Sequence, residues 1–284
     1  MDTTNIPLNE HWKFCYGDLQ DAWFKGFEDL DWQPITLPHD WSVTMPFSQE
    51  FSSGTGYLPG GIGWYRTHFK LPKEYRGKKI SVVFDGVYKN SQVWCNSYYL
   101  GKRPSGYSTF SYDISPFARF GEDENVLSVK VTHTDLADSR WFTGSGITRK
   151  VTLLVEEPVH AWENGIFFTT LRVDRTIAHI EILHEICNDS NTVQHLQVES
   201  RLSTSDGACV LSLTAQETFS PGETRQILLN GRIEHPNLWS PETPYLYDLD
   251  TFLTLENGYH YRISSQKAGI RSIFFDPDKG FFLN

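Results

Sequence analysis

Chemistry-bearing side chains cluster in a few short stretches of this 284-residue chain. The richest is SRWFTGSGITRKVTL, residues 139–153, where Arg140 stands beside Trp141 and Phe142 just before Gly144-Ser145-Gly146. A guanidinium presents five donors in a planar fork, so the stretch offers a donor-rich edge next to two apolar rings. The glycines permit a tight bend with positive φ, after which Val151, Leu153 and Val155 resume a strand. In LPHDW (37–41), His39 and Asp40 suggest an acid/base pair, but adjacent side chains in an extended segment point to opposite faces. Asp40 therefore reads as a hydrogen-bonder of a turn or loop. The cluster Gly60-Gly61-x-Gly63 makes a flexible loop ahead of Trp64-Tyr65. It lacks G-x-G-x-x-G spacing and no helical pattern follows, so it is not a phosphate cradle. Trp64 is read as a core residue ahead of a binding platform.

Lys and Arg total 25 against 35 Asp and Glu, a formal charge of −10. That balance lacks the basic footprint of nucleic-acid binding and does not suit an anionic membrane surface. Aromatic residues make up 14% of the chain, with nine Trp; sandwich cores and sugar-binding surfaces both use them, and the core takes most of the weight. Cys15, Cys95, Cys187 and Cys209 are widely spaced, without C-x-x-C or zinc-ligand spacing. They read as reduced packing residues. The start MDTTNIPLNEHWKF has no basic segment leading into an apolar one, and no apolar run approaches the ~20 residues of a membrane span. The expectation is a cytoplasmic protein.

Period-two alternation dominates: Phe110, Tyr112 and Ile114; Val151, Leu153 and Val155; Ile180, Ile182 and Ile186. Such segments are half-buried strands. The clearest case runs through Tyr247, Leu249, Leu253 and Leu255 to Asn257-Gly258, then Tyr259, Tyr261 and Ile263, a hairpin pattern. Amphipathic helical windows are nearly absent, which predicts an all-β chain of sandwiches. A boundary is expected at Glu156-Glu157-Pro158, because proline cannot sit inside a central strand. This gives domains at 1–157 and 158–268, the second with about seven strand candidates, as in an immunoglobulin-like sandwich. In 269–284, Asp276-Pro277-Asp278-Lys279-Gly280 should turn 273–275 against 281–283. An apolar strand that ends without a solubilising tail is expected to continue into a longer protein.

Five stretches, taken together and in order, resemble the N-terminal part of glycoside hydrolase family 2. They are LPHDW (37–41), GGIGWYRTHFKLP (60–72), VFDGVYKNSQVWCNSYYLG (83–101), SRWFTGSGITRKVTL (139–153) and KAGIRSIFFDPDKGFFLN (267–284). The resemblance implies a jelly-roll, galactose-binding-like β-sandwich and an immunoglobulin-like β-sandwich, followed by a (β/α)8 catalytic barrel to which 269–284 begins the connection. It implies a retaining β-glycosidase, a β-galactosidase ahead of a β-glucuronidase or β-mannosidase. Both catalytic glutamates are then expected in the barrel, which leaves no catalytic residue in this chain. Asn9-Glu10 looks like the family's acid/base pair, but it precedes every strand. In many members the loop at 139–147 contributes an Asp near the sugar; that position here is Arg140, with Asp138 two residues away. The resemblance places Arg140, Trp141, Asp138, Trp64, Gly60 and Asp40 in substrate-proximal loops. It implies no metal or cofactor in this chain, with Mg²⁺ or Na⁺ reserved for the barrel. The implied partners are a β-galactoside, the chain's own barrel and, in the whole enzyme, further copies of itself. A stand-alone carbohydrate-binding module and a structural module are the competing readings.

Overall fold

Alternating apolar patterns of this kind require sheets that bury one face. The computed structural model, which describes residues 2–135, 139–174 and 176–284, contains nineteen strands and three short 3₁₀ turns, with no α-helix among the described residues. The chain divides into two compact units, Thr4–Val155 and Glu156–Asn284, the second together with the leading residues through Thr3.

The first unit contains β1 (Thr4–Pro7), β2 (Trp12–Tyr16), β3 (Gln33–Ile35), β4 (Gly61–Lys70), β5 (Lys79–Phe84), β6 (Ser91–Cys95), β7 (Tyr98–Arg103), β8 (Phe110–Asp113), β9 (Glu124–His133) and β10 (Val151–Glu156). They form a four-stranded sheet, β1-β10-β5-β8, and a six-stranded sheet, β3-β2-β4-β9-β6-β7. One apolar cluster draws on both, with Trp12, Phe14, Tyr65 and Val129 from the larger sheet and Ile80, Val82, Phe84 and Leu153 from the smaller. Each such side chain contributes roughly 1.5–3 kcal/mol on leaving water. β4 and β9 pair antiparallel from Gly61↔His133 to Lys70↔Glu124, so residues at their ends share one edge.

β4 is covered on both faces. Tyr65 enters the main core, while Trp64 joins a separate small cluster with Ala22 and Trp32, both from the long β2–β3 connection. Arg66, fully buried, ties that connection down. Its guanidinium donates to the carbonyl oxygens of Ala22 (2.7 Å), Phe24 (3.1 Å), Lys25 (3.2 Å) and Phe27 (3.3 Å), and to Asp29 Oδ2 (2.8 Å). Burial alone would raise the Asp29 carboxyl, yet hydrogen bonds from Lys13, Arg66 and His68 hold it well below the usual carboxylate range.

The second unit stacks a three-stranded sheet on a four-stranded one. Its strands are β11 (Val159–Val173), β12 (Ile177–Asn188), β13 (Gln194–Ser203), β14 (Cys209–Phe219), β15 (Thr224–Glu234), β16 (Tyr247–Leu255) and β17 (His260–Ala268). The sheet orders are β11-β12-β15 and β14-β13-β16-β17, the three-plus-four arrangement of an immunoglobulin-like sandwich. A buried polar chain crosses its core: His184 Nε2 to Ser200 Oγ at 2.7 Å, and Ser200 Oγ to Thr251 Oγ1 at 2.9 Å. The Asn257-Gly258 turn joins β16 to β17 with Thr254 opposite His260. β18 (Ile273–Asp276) and β19 (Gly280–Leu283) form the expected hairpin with Phe275 opposite Phe281.

None of the four cysteines is in a disulfide; Cys95 and Cys187 are buried, Cys15 is half-buried and Cys209 is exposed. Packing therefore does not account for Cys209, which opens β14 exposed together with Val210, ahead of the alternation that exposes Ser212, Thr214, Gln216 and Thr218. Burial pushes the Cys95 thiol up to about 12.

Candidate functional site

Three segments converge on one edge of the first unit: the 39–45 segment, the Gly60–Gly61 entry to β4 opposite the end of β9, and residues 139–147. Their junction is held by hydrogen bonds rather than by apolar packing alone. Asp40 Oδ1 accepts from the backbone N–H of Ser42 (3.0 Å) and of Ser145 (2.9 Å). Ser42 Oγ lies 2.7 Å from Ser145 Oγ, which lies 2.7 Å from His133 Nδ1. Main-chain bonds continue the seam, from Trp41 N to the Ser145 carbonyl, from His39 N to the Ile147 carbonyl, and in both directions between Tyr88 and Gly146.

Gly144 and Gly146 have the positive φ expected of a tight bend, +74° and +127°. Both are buried. A Cβ on Gly146 would lie 2.2 Å from Tyr65 Oη and 2.7 Å from the His39 carbonyl oxygen, so glycine is required there for close approach as well as for backbone conformation. The exposed part is the run Arg140, Trp141 and Phe142. Trp141 is 61% exposed, yet its Nε1 donates to Tyr107 Oη at 2.9 Å. Tyr107 in turn meets Tyr88 edge-on at 5.4 Å, and Tyr88 meets His133 at 5.0 Å. An exposed ring is thereby anchored to the buried junction.

Of the other residues singled out from sequence, Gly60 lies at this edge. Its carbonyl accepts from Tyr16 Oη (2.9 Å) and Trp41 Nε1 (3.2 Å), and with Gly61, His133 and Asp135 it lines a cleft of about 230 Å³. Asp40 lies at the edge too, as the acceptor that fixes the turn. His39 serves a different partner, with Nδ1 2.9 Å from Tyr65 Oη. Trp64 lies within β4 and is buried, in line with its reading as a core residue and not with a place in a substrate-proximal loop; its side chain occupies the sheet face opposite that of Tyr65. Asp138 falls outside the described residues. Asn9-Glu10 does not precede every strand but lies between β1 and β2; Glu10 accepts from Thr36 Oγ1 at 2.9 Å and Asn9 Oδ1 accepts from Val151 N at 2.9 Å, so both tie the segment to parts of the first unit distant in sequence.

A serine, a histidine and an aspartate meet here, but not as a nucleophilic triad. Such a triad needs the carboxylate on the imidazole and an accessible hydroxyl. Asp40 bonds instead to backbone N–H groups, and Ser145 is 1% exposed. Burial raises the Asp40 carboxyl against its two backbone donors, and burial lowers His39. Asp135 pairs with Lys89 at 2.6 Å. Among the described residues no group of three His, Cys, Asp or Glu side chains is placed to hold a metal ion. The arrangement presents the exposed guanidinium of Arg140 and the rings of Trp141 and Phe142 at the edge that also holds a small cleft.

Residues 7–158 match the model of the glycosyl hydrolases family 2 sugar binding domain, and residues 150–271 match a second model of glycosyl hydrolases family 2. The chain belongs to glycosyl hydrolase family 2. It is 39% identical over 279 residues to a β-galactosidase of Bacteroides ovatus, an alignment covering 98% of this chain and 32% of that protein. It is 32% identical to a putative β-glucuronidase of Formosa agariphila, over 98% of this chain and 26% of that protein. The crystal structure of a family 2 member from Bacteroides cellulosilyticus superposes with a TM-score of 0.92 at 31% identity, covering 99% of this chain and 37% of that one. The chain thus spans about a third of the length of these family 2 relatives. No described helix is long and apolar enough to cross a membrane.

Proposed function

We propose that this chain is the non-catalytic front portion of a retaining β-glycosidase that removes terminal β-galactosyl residues, and that its 139–147 edge forms part of the wall around the sugar. The observation that carries the reading is the pairing of that edge, an exposed Arg140-Trp141-Phe142 run on a rigid buried base, with 39% identity along 98% of the chain to a protein named a β-galactosidase. Retaining hydrolysis uses two carboxyl groups ≈ 5–5.5 Å apart, one as acid/base and one as nucleophile. The edge carboxylates here are otherwise engaged, Asp40 on backbone N–H groups and Asp135 on Lys89. In this reading the catalytic pair belongs to a following barrel, which would also hold any Mg²⁺ or Na⁺. This chain contributes shape, donors and stacking surface. Four cysteines with no disulfide among them fit a cytoplasmic setting. A β-glucuronidase is the second reading, favoured by the Formosa agariphila relative.

Turnover of nitrophenyl β-galactoside and nitrophenyl β-glucuronide by the complete protein separates the two. We expect kcat/KM to favour the galactoside by at least about a hundredfold and the 284-residue chain alone to show no turnover. The opposite preference would assign the glucuronidase reading, and turnover by the purified chain would overturn the non-catalytic role.

A further inference from the structure

The small cluster under the β2–β3 connection borders an open recess of about 410 Å³ on the six-stranded sheet, within the range of ligand pockets. No residue lining it also lines the cleft at Gly60. We propose that this recess is a second carbohydrate-binding site, one that takes a neutral pyranose ring. Its aromatic surface comes from the partly buried Trp94 and from Trp23 on the opposing segment, 36% exposed; Trp64, itself buried, backs Trp94 in a stack at 5.5 Å and 29°. Indole faces pack against the C–H face of a pyranose while the ring's hydroxyls remain free for polar partners.

Those partners are present. Asp18, Asp21, Gln92 and Lys130 line the same recess. The Trp64 Nε1–H is buried without a hydrogen-bond partner among the described residues, an unusual state for a buried donor and one that a ligand oxygen would relieve. Charge selects the ligand class. Lys130 is ion-paired with Asp18 and lies 5.6 Å above the Trp64 ring, so two carboxylates face one cation that is already engaged. A uronate or phosphate would meet net repulsion, whereas a neutral polyol would not. The wall carrying Asp21 and Trp23 is also fixed in advance, because Arg66 holds the carbonyls of Ala22 and Phe24. Such preorganisation lowers the ordering cost of binding.

The test is calorimetric titration of the 284-residue chain, with tryptophan fluorescence in parallel, using lactose, cellobiose and xylobiose against sodium glucuronate. At least one neutral disaccharide should bind with a millimolar Kd, and glucuronate at least about tenfold more weakly. Trp23→Ala and Gln92→Ala should each weaken binding about tenfold or more, while Phe167→Ala, at an exposed position of the second unit, leaves it unchanged. Absence of binding by all three neutral sugars up to about 50 mM would overturn the proposal. So would equal or tighter binding of glucuronate, wild-type affinity in either recess variant, or loss of affinity in Phe167→Ala. The assay reads binding without turnover, so its failure leaves the reading of the 139–147 edge standing.

Discussion

Ser145 contributes one hydroxyl and one amide, and both fasten the 139–147 segment to the body of the first unit. Ser145→Ala leaves the buried His133 Nδ1 and Ser42 Oγ each short of a partner, so the first unit should lose about 1–3 kcal/mol in urea unfolding. Arg140→Ala, on an exposed side chain, should stay within about 0.5 kcal/mol of the parent. Asp29→Asn is expected to be more severe, about 3–5 kcal/mol, because it strands the buried Arg66 charge. The Asp29 carboxyl is held below its unfolded value, so its contribution is complete above about pH 4 and fades as acid approaches the depressed folded value. A urea series from pH 5 downward should show a smaller loss in Asp29→Asn than in the parent, the remainder coming from other carboxyls held low, Asp113 among them. None of these roles was legible in sequence. Arg66 reaches Asp29 and Ser145 reaches Ser42 only through tertiary folding, whereas Arg140 and Trp141 stood out because their neighbours in sequence mark them.

At the level of strands and turns, sequence carried much more. The alternation of Ile180, Ile182 and Ile186 became β12, and Asn257-Gly258 became the β16–β17 turn, because period and turn chemistry are local properties. β4 was harder to read: with one face on the main core and the other under the β2–β3 connection, its alternation is masked, and Trp64 was legible as core without its sheet face or its partners Ala22 and Trp32. The Gly144–Gly146 bend was legible as a bend, but its burial depends on Tyr65 and His39 more than 70 residues earlier. Gly146→Ala should accordingly cost more than the ~1 kcal/mol of an ordinary glycine substitution, seen as a lowered thermal transition of the first unit. In the second unit, burial lowers His184. Its folded value lies below the unfolded ~6.5, so its stabilising contribution is present above about pH 6.5 and is lost as pH falls. Melting at pH 7.5 and 5.5 should show a lower Tm at pH 5.5, and His184→Gln should shrink that difference. His39 carries the same sign in the first unit, so some acid sensitivity should remain there.

Across the whole molecule, two β-sandwiches of family 2 type place a donor-bearing edge in one unit, and we propose that this edge serves the sugar in the complete enzyme. Kinetics of Arg140→Ala in the complete enzyme, paired with melting of the same variant in the 284-residue chain, tests it most directly. On nitrophenyl β-galactoside, kcat/KM should fall by roughly tenfold to a hundredfold, about 1.4–2.8 kcal/mol of transition-state stabilisation, while the Tm of the chain shifts by no more than about 2 °C. Unchanged kinetics, or a large fall in the chain's Tm, would contradict the claim and make Arg140 a structural residue of the first unit.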